Sequence, residues 1–168
     1  MKQVFLSQGA AVVKEVPEPL LGEGMVLVRV AYSFISAGTE GATLAATGAS
    51  LATRVMRNAQ ESLNKLKSAL KEHGVAGTCA LVRGKMAQLL EVGYSCSGTV
   101  VAVGKNVSRI NVDDLVACAG AGFAQHGEFV AVPANLVVKV GSQKDLCGAS
   151  IAAIGAIALQ GVRRARLQ

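Results

Sequence analysis

Alternation of period two opens the chain. Residues 10 to 16, AAVVKEV, run into the breaker-rich PEPLLGEG, and MVLVRVAYSF (25 to 34) then sets Val26, Val28 and Val30 on one side with Leu27 and Ala31 toward the other. That pattern predicts β-strands joined through Pro17, Pro19, Gly22 and Gly24. From about Leu51 the period lengthens. Leu63, Leu66 and Leu70 share one face at helical spacing, Glu61, Lys65, Lys67 and Lys71 occupy others, and Gly74 ends the run with His73 in its last turn. A second helical stripe follows in Cys79, Val82, Met86, Leu89 and Leu90. Period two then returns in GTVVAVG (98 to 104), DLVACAG (114 to 120), GEFVAVP (127 to 133) and NLVVKV (135 to 140). Short strands so closely spaced, with Gly, Asn, Asp or Pro between them, predict a compact barrel or strongly bent sheet. The class is mainly β with added helices, α+β. From Gly148, ASIAAIGAIALQGVRRA predicts a helix apolar round most of its circumference, which expects neighbours on several sides.

Composition sharpens this picture at a few points. The chain has 168 residues, half of them hydrophobic (51%) with only 4% aromatics and no Trp, so small aliphatic side chains must fill one domain-sized core. Its longest apolar stretches, such as Ala149 to Leu159, are too short and glycine-interrupted for a bilayer, which needs about 20 apolar residues. The N-terminus lacks the apolar block and small-residue site of a signal peptide, and a cytoplasmic setting is the expectation. The net charge of +6 is unevenly spread: residues 51 to 91 carry seven Lys/Arg against three Glu, and the last six residues add three Arg. A solvated helix face accounts for this more simply than a nucleic-acid surface, for which the interleaved aromatics are missing. Four scattered cysteines, Cys79, Cys96, Cys118 and Cys147, include no Cys-x-x-Cys pair, and reduced, mostly buried thiols are expected.

Two glycine-rich stretches are candidates for phosphate binding, and neither qualifies. A dinucleotide fingerprint places its glycines after a strand and before a helix. GYSCSGTVVAVG (93 to 104) has its strand after the first glycine and serine cluster, and AGAGFAQHG (119 to 127) has Gln125 at the third glycine position and leads into a strand.

Taken in order, the FISAGTE turn (34 to 40), GYSCSGTVVAVG, the Val112–Val116 turn and the Gly127–Pro133 strand resemble the GroES-like catalytic domain of medium-chain dehydrogenases/reductases. The resemblance covers nearly the whole chain. It implies a GroES-like β-barrel over residues 1–147, interrupted by an inserted helical pair at about 50–91. Residues 148–168 then form a helix leading toward a Rossmann cofactor domain further along. The LNKLKSALKEHGV insertion before GYSCSG is similar to the N-terminal part of bi-domain oxidoreductases associated with sugar metabolism. A small-molecule substrate, sugar-derived in that case, NAD or NADP in the full-length protein, and room for a homo-oligomer are what the resemblance implies. No cofactor is expected on this chain alone.

The departures from the family pattern bear on chemistry. Where zinc-dependent members carry a Cys and a His, this chain has Ser36 and Tyr94, and neutral hydroxyls are poor zinc ligands. The resemblance therefore implies a zinc-free oxidoreductase, with Ser36, Thr39 and Tyr94 as the donors that would polarise a substrate oxygen. Ser95 and Cys96 lie beside them, Glu40 is read as orienting its turn, and His126 as a hydrogen-bonded loop residue. A freestanding GroES-like binding or assembly module without catalysis is the alternative, and it leaves the apolar last helix unexplained.

Overall fold

The computed structural model describes residues 1–48 and 89–165, together with Asn64, Ser68, Lys71, Glu72, Gly74 and Gly77, which lie in helix. In chain order the elements are β1 (Lys2–Ser7), β2 (Ala10–Glu15), β3 (Met25–Ser33), α1 (Ala37–Gly48), β4 (Leu90–Glu91), β5 (Ser95–Val103), β6 (Leu115–Ala119), β7 (Phe129–Pro133) and β8 (Val137–Lys139). A single helical turn, α2 (Leu146–Ala149), and a longer helix, α3 (Ala152–Ala165), complete them. The chain divides into two compact units. One holds Met1–Val4, Val13–Ile35 and Glu91–Gln168, and the other holds Phe5–Val12 and Ser36–Leu90.

The first unit is built on a five-stranded sheet of order β7-β3-β5-β6-β8, antiparallel at every pairing. The period-two pattern of the sequence sets its inner face: Val26, Val28, Cys96, Val100, Val116, Cys118, Val130 and Val132 are buried together. Irregularities in the β3–β5 register between Leu27 and Val28 and between Val30 and Tyr32 add the local bend that a curled half-barrel requires. The four strands expected from residue 98 onward all form, and β5 begins earlier than expected, at Ser95. A second, three-stranded sheet has the order β2-β1-β4.

Two expectations are corrected. The stretch 34–40, expected as a turn, gives way to helix α1 from Ala37. Its many small residues leave no apolar stripe to signal a helix, and none of its residues is buried. Leu90, expected on a helical stripe, lies in β4, where backbone pairing at a sheet edge outweighs side-chain periodicity. Leu89, expected on the same stripe, lies in irregular chain just before β4, while Leu63, Leu66 and Leu70 with His73, and Cys79, Val82 and Met86, lie outside the described residues. Gly74 has a φ of +64°, a left-handed conformation that favours glycine.

In the second unit, glycine solves a packing problem between the β1–β2 turn and the end of α1. Gly9 takes φ +78°, its N–H donates to Thr47 Oγ1 at 3.1 Å, and a Cβ placed on it would fall 2.8 Å from the Gly48 α-carbon.

At the far end of β6, Lys139 Nζ lies 2.7 Å from the Asp114 carboxylate, which also accepts the Asn111 N–H at 2.7 Å. These two partners, Lys139 first, hold the Asp114 carboxyl below the usual carboxylate range. A depressed folded-state pKa gives stability that is complete above the unfolded value and lost as pH falls through the folded one. The urea midpoint of the native chain should therefore exceed that of Asp114→Asn at neutral pH. The gap should close below about pH 4, where unpaired carboxylates protonate.

Candidate functional site

Tyr94 is positioned by backbone contacts on both sides of it. Gly93 takes φ +101°, and a Cβ there would meet the His126 nitrogen at 2.7 Å, so only glycine lets the chain pass against the 125–126 backbone. The His126 N–H donates to the Val92 carbonyl at 2.9 Å and closes that approach. One residue on, the Tyr94 carbonyl accepts the Gly120 N–H at 2.8 Å, and the Ser95 carbonyl accepts the Phe34 N–H at 3.0 Å. The ends of β3 and β6 thus fix the tyrosine from both sides. Its phenolic oxygen is buried and has no hydrogen-bond partner among the described residues. A buried polar group left unmatched costs about 1–3 kcal/mol, so an incoming oxygen that reached this hydroxyl would be favoured over leaving it unmatched.

Ser36 and Thr39 are brought together in the second unit, at the start of α1. The Ser36 hydroxyl accepts the Thr39 N–H at 3.3 Å and donates to Thr39 Oγ1 at 3.3 Å, while the Ser36 carbonyl accepts the Glu40 N–H at 2.9 Å. Ser36 is therefore an N-cap, which accounts for the helix beginning where a turn was expected. Glu40 sits in the first helical turn, where its negative charge suits the helix dipole.

Ser95, Cys96 and Ser97 are all buried, because β5 is covered on both faces. Cys96 points into the core and lies opposite Cys118. The Gly120-to-Tyr94 bond makes the Tyr94/Gly120 pair hydrogen-bonded, and two residues on the Cys96/Cys118 pair inherits the same, wider spacing. Both thiols are free. Hydrogen bonding to Cys96, with burial second, pushes the Cys118 thiol up, so this pair has the character of packed core rather than of nucleophiles.

Ser95 and Ser97 face the other way and tie down the C-terminal helices. Ser95 Oγ donates to the Ser150 carbonyl at 2.6 Å and accepts the Ala153 N–H at 3.2 Å, and Ser97 Oγ donates to the Leu146 carbonyl at 2.5 Å. Sequence reasoning missed this role. The signal was there in two serines flanking a buried cysteine, one strand position either side. Ser95→Ala should lower stability by about 2 kcal/mol, since it strands both a carbonyl and an N–H. Denaturant unfolding checks it.

His126, read from the sequence as a hydrogen-bonded loop residue, is buried, and its Nδ1 lies 2.9 Å from Ser33 Oγ. Among the described residues no three His, Cys, Asp or Glu side chains gather as a metal site would require. Ser36 and Tyr94 themselves present only neutral hydroxyls. No single helix among the described residues is long and apolar enough to cross a membrane.

No family model matches the chain, and no curated protein matches it. Solved structures do. The quinone oxidoreductase from Coxiella burnetii is 17% identical with a TM-score of 0.65, the likeness covering 100% of this chain and 46% of that one. Galactitol-1-phosphate dehydrogenase from Escherichia coli is 16% identical with a TM-score of 0.58, over 90% of this chain and 41% of that one. Mycobacterial Rv1454c complexed with NADPH is 18% identical with a TM-score of 0.50, over 85% of this chain and 34% of that one. The chain thus spans less than half the length of the structures it matches. These likenesses show the fold, a GroES-like curled sheet with helices as the sequence motifs implied, and the first two of these structures are by name an oxidoreductase and a dehydrogenase.

Proposed function

We propose that this chain is the substrate-side domain of a zinc-independent, NAD(P)-dependent oxidoreductase, in which a second domain supplies the nucleotide site. The observation that carries the reading is the Tyr94 hydroxyl, buried, held by three surrounding segments and without a partner among the described residues. Such a group is pre-set to donate to a substrate oxygen: it gains a hydrogen bond when the oxygen arrives and a stronger one as negative charge builds there. Ser36 and Thr39 remain the further donors that the family resemblance implies, and their mutual bond within the second unit is long, at 3.3 Å.

The dinucleotide has no evident seat on these residues. Neither glycine-rich stretch has the strand–glycine–helix order, and the glycines of 93–104 answer to packing: Gly104, for example, has the Gly22 carbonyl 2.2 Å from where its Cβ would be. No nucleotide contact is therefore assigned to the chain. The partner surface proposed for a nucleotide-binding domain is α3, whose Ile154, Ile157, Leu159 and Val162 are exposed, Ile157 by 69%. The shared fold with a quinone oxidoreductase and with an NADPH complex supports this reading. A cytoplasmic setting belongs to the same proposal, since facing free thiols at Cys96 and Cys118 suit a reducing compartment.

The test compares two preparations. The 168-residue chain mixed with NADPH and a para-quinone should leave the NADPH absorbance unchanged. A protein in which a nucleotide-binding domain follows the chain should oxidise NADPH at a rate that chelators do not reduce. Turnover by the chain alone, or activity abolished by a chelator and restored by zinc, would overturn the reading.

A further inference from the structure

The end of the sheet where β6 begins, away from Tyr94, carries a second feature. The sequence GKNVSRINVDD leaves β5, and its loop faces the segment Ala134–Lys139 across a cleft of about 670 Å³, within the usual range for small-molecule sites. Its walls are half apolar, from Val107, Val137 and Val138, and half polar, from Asn135, Arg109 and Lys139. Val138 is 61% exposed and adds apolar surface to the cleft wall.

The charges in the cleft are not equivalent. Lys139 is held by Asp114, whose carboxylate is in turn satisfied by the Asn111 N–H. Arg109 is exposed and has no ion-pair partner among the described residues. No carboxylate lines the cleft. The sheet adds a backbone donor. β8 is an edge strand, and the Val140 N–H bonded to the Leu115 carbonyl at 2.7 Å fixes which residues face β6. By alternation Val138 shares its bonds with Ala117, and the N–H of Lys139 is left on the open edge.

We propose that this cleft binds a small organic monocarboxylate, its two oxygens on the Arg109 guanidinium and its apolar body against Val107, Val137 and Val138. The planar fork of arginine matches a carboxylate's two oxygens. One unpaired cation balances one negative charge, whereas a phosphate monoester would bring nearly two. The apolar half of the wall has no use for an inorganic anion. The inference is independent of the oxidoreductase reading, since it uses none of the residues around Tyr94.

Titrating the full chain with hexanoate, followed by amide NMR, tests it. Saturable shifts should be confined to the amides of residues 106–110 and 135–139. Hexanol and inorganic phosphate should each bind at least about tenfold more weakly, the usual order for losing a charge-assisted hydrogen bond or the apolar contact. Arg109→Gln, with amide positions elsewhere unchanged to show that it folds, should weaken hexanoate by about tenfold. Shifts spread over the whole surface, equal binding of phosphate, or undiminished hexanoate binding by Arg109→Gln would overturn the proposal.

Discussion

Gly98→Ala should cost more than about 3 kcal/mol and lower the melting temperature by about 10 °C. Gly98 sits in the middle of β5, between Val30 of β3 and Val116 of β6, beside the register irregularity that follows Val30. That irregularity brings the Arg29 carbonyl over the glycine. A Cβ at position 98 would lie 2.0 Å from the Arg29 oxygen and 2.9 Å from its carbonyl carbon. Both are backbone atoms in a central strand, so neither can swing aside as a side-chain tip would. Relief requires breaking the β3–β5 ladder that carries the core. The contrasting variant is Gly38→Ala, in the first turn of α1, where nothing lies within 4 Å of the added methyl. It should gain about 0.5 kcal/mol from helix propensity. Thermal unfolding of the two proteins side by side measures both effects, and a mild Gly98→Ala would mean that the strand crossing is looser than the geometry requires.

Tyr94→Phe should change stability and activity in opposite directions. The phenolic oxygen is buried and unmatched, so its removal should raise unfolding stability by about 1 kcal/mol. In the two-domain protein of the proposed function, the same change should reduce turnover by about 100-fold, the order seen when one preorganised donor to a developing oxyanion is removed. The loss should fall on kcat more than on KM, because the hydrogen bond strengthens as charge develops. A tyrosine that serves only as packing would leave turnover intact. A tyrosine with a hidden structural partner would lose stability. Either result would remove Tyr94 from the site.

The two variants also show how differently the stretch 93–104 could be read. Gly93, Gly98 and Gly104 are glycines because backbone from residues 125–126, 29 and 22 passes through the space a Cβ would need. Their spacing in the sequence reveals only that they do not form a phosphate loop. Which neighbour makes each of them necessary depends on strand pairing, and strand pairing joins residues tens of positions apart. Likewise, Ser36 and Thr39 were recognisable as hydroxyls at a motif position. That Ser36 caps a helix holding Thr39 appeared only when the Thr39 and Glu40 N–H groups were seen turned toward Ser36. The helix had left no mark of its own, since Gly38, Gly41 and alanines at 37, 42, 45 and 46 give no periodic apolar face.

The sequence by itself determined the strands and their inner face. Valines two apart at 26 and 28, and again at 130 and 132, can be buried together only on one side of a pleated strand, whatever that strand pairs with. It determined too that positions 36 and 94 hold hydroxyls and not a thiolate and an imidazole. Tertiary structure alone decided which hydroxyls were already spent. Ser95 and Ser97 satisfy the carbonyls of the C-terminal helices, and the Tyr94 oxygen has no such partner among the described residues. The reason is physical: a side chain's identity fixes what it can donate or accept, but whether the bond is made depends on which distant backbone the fold carries to it.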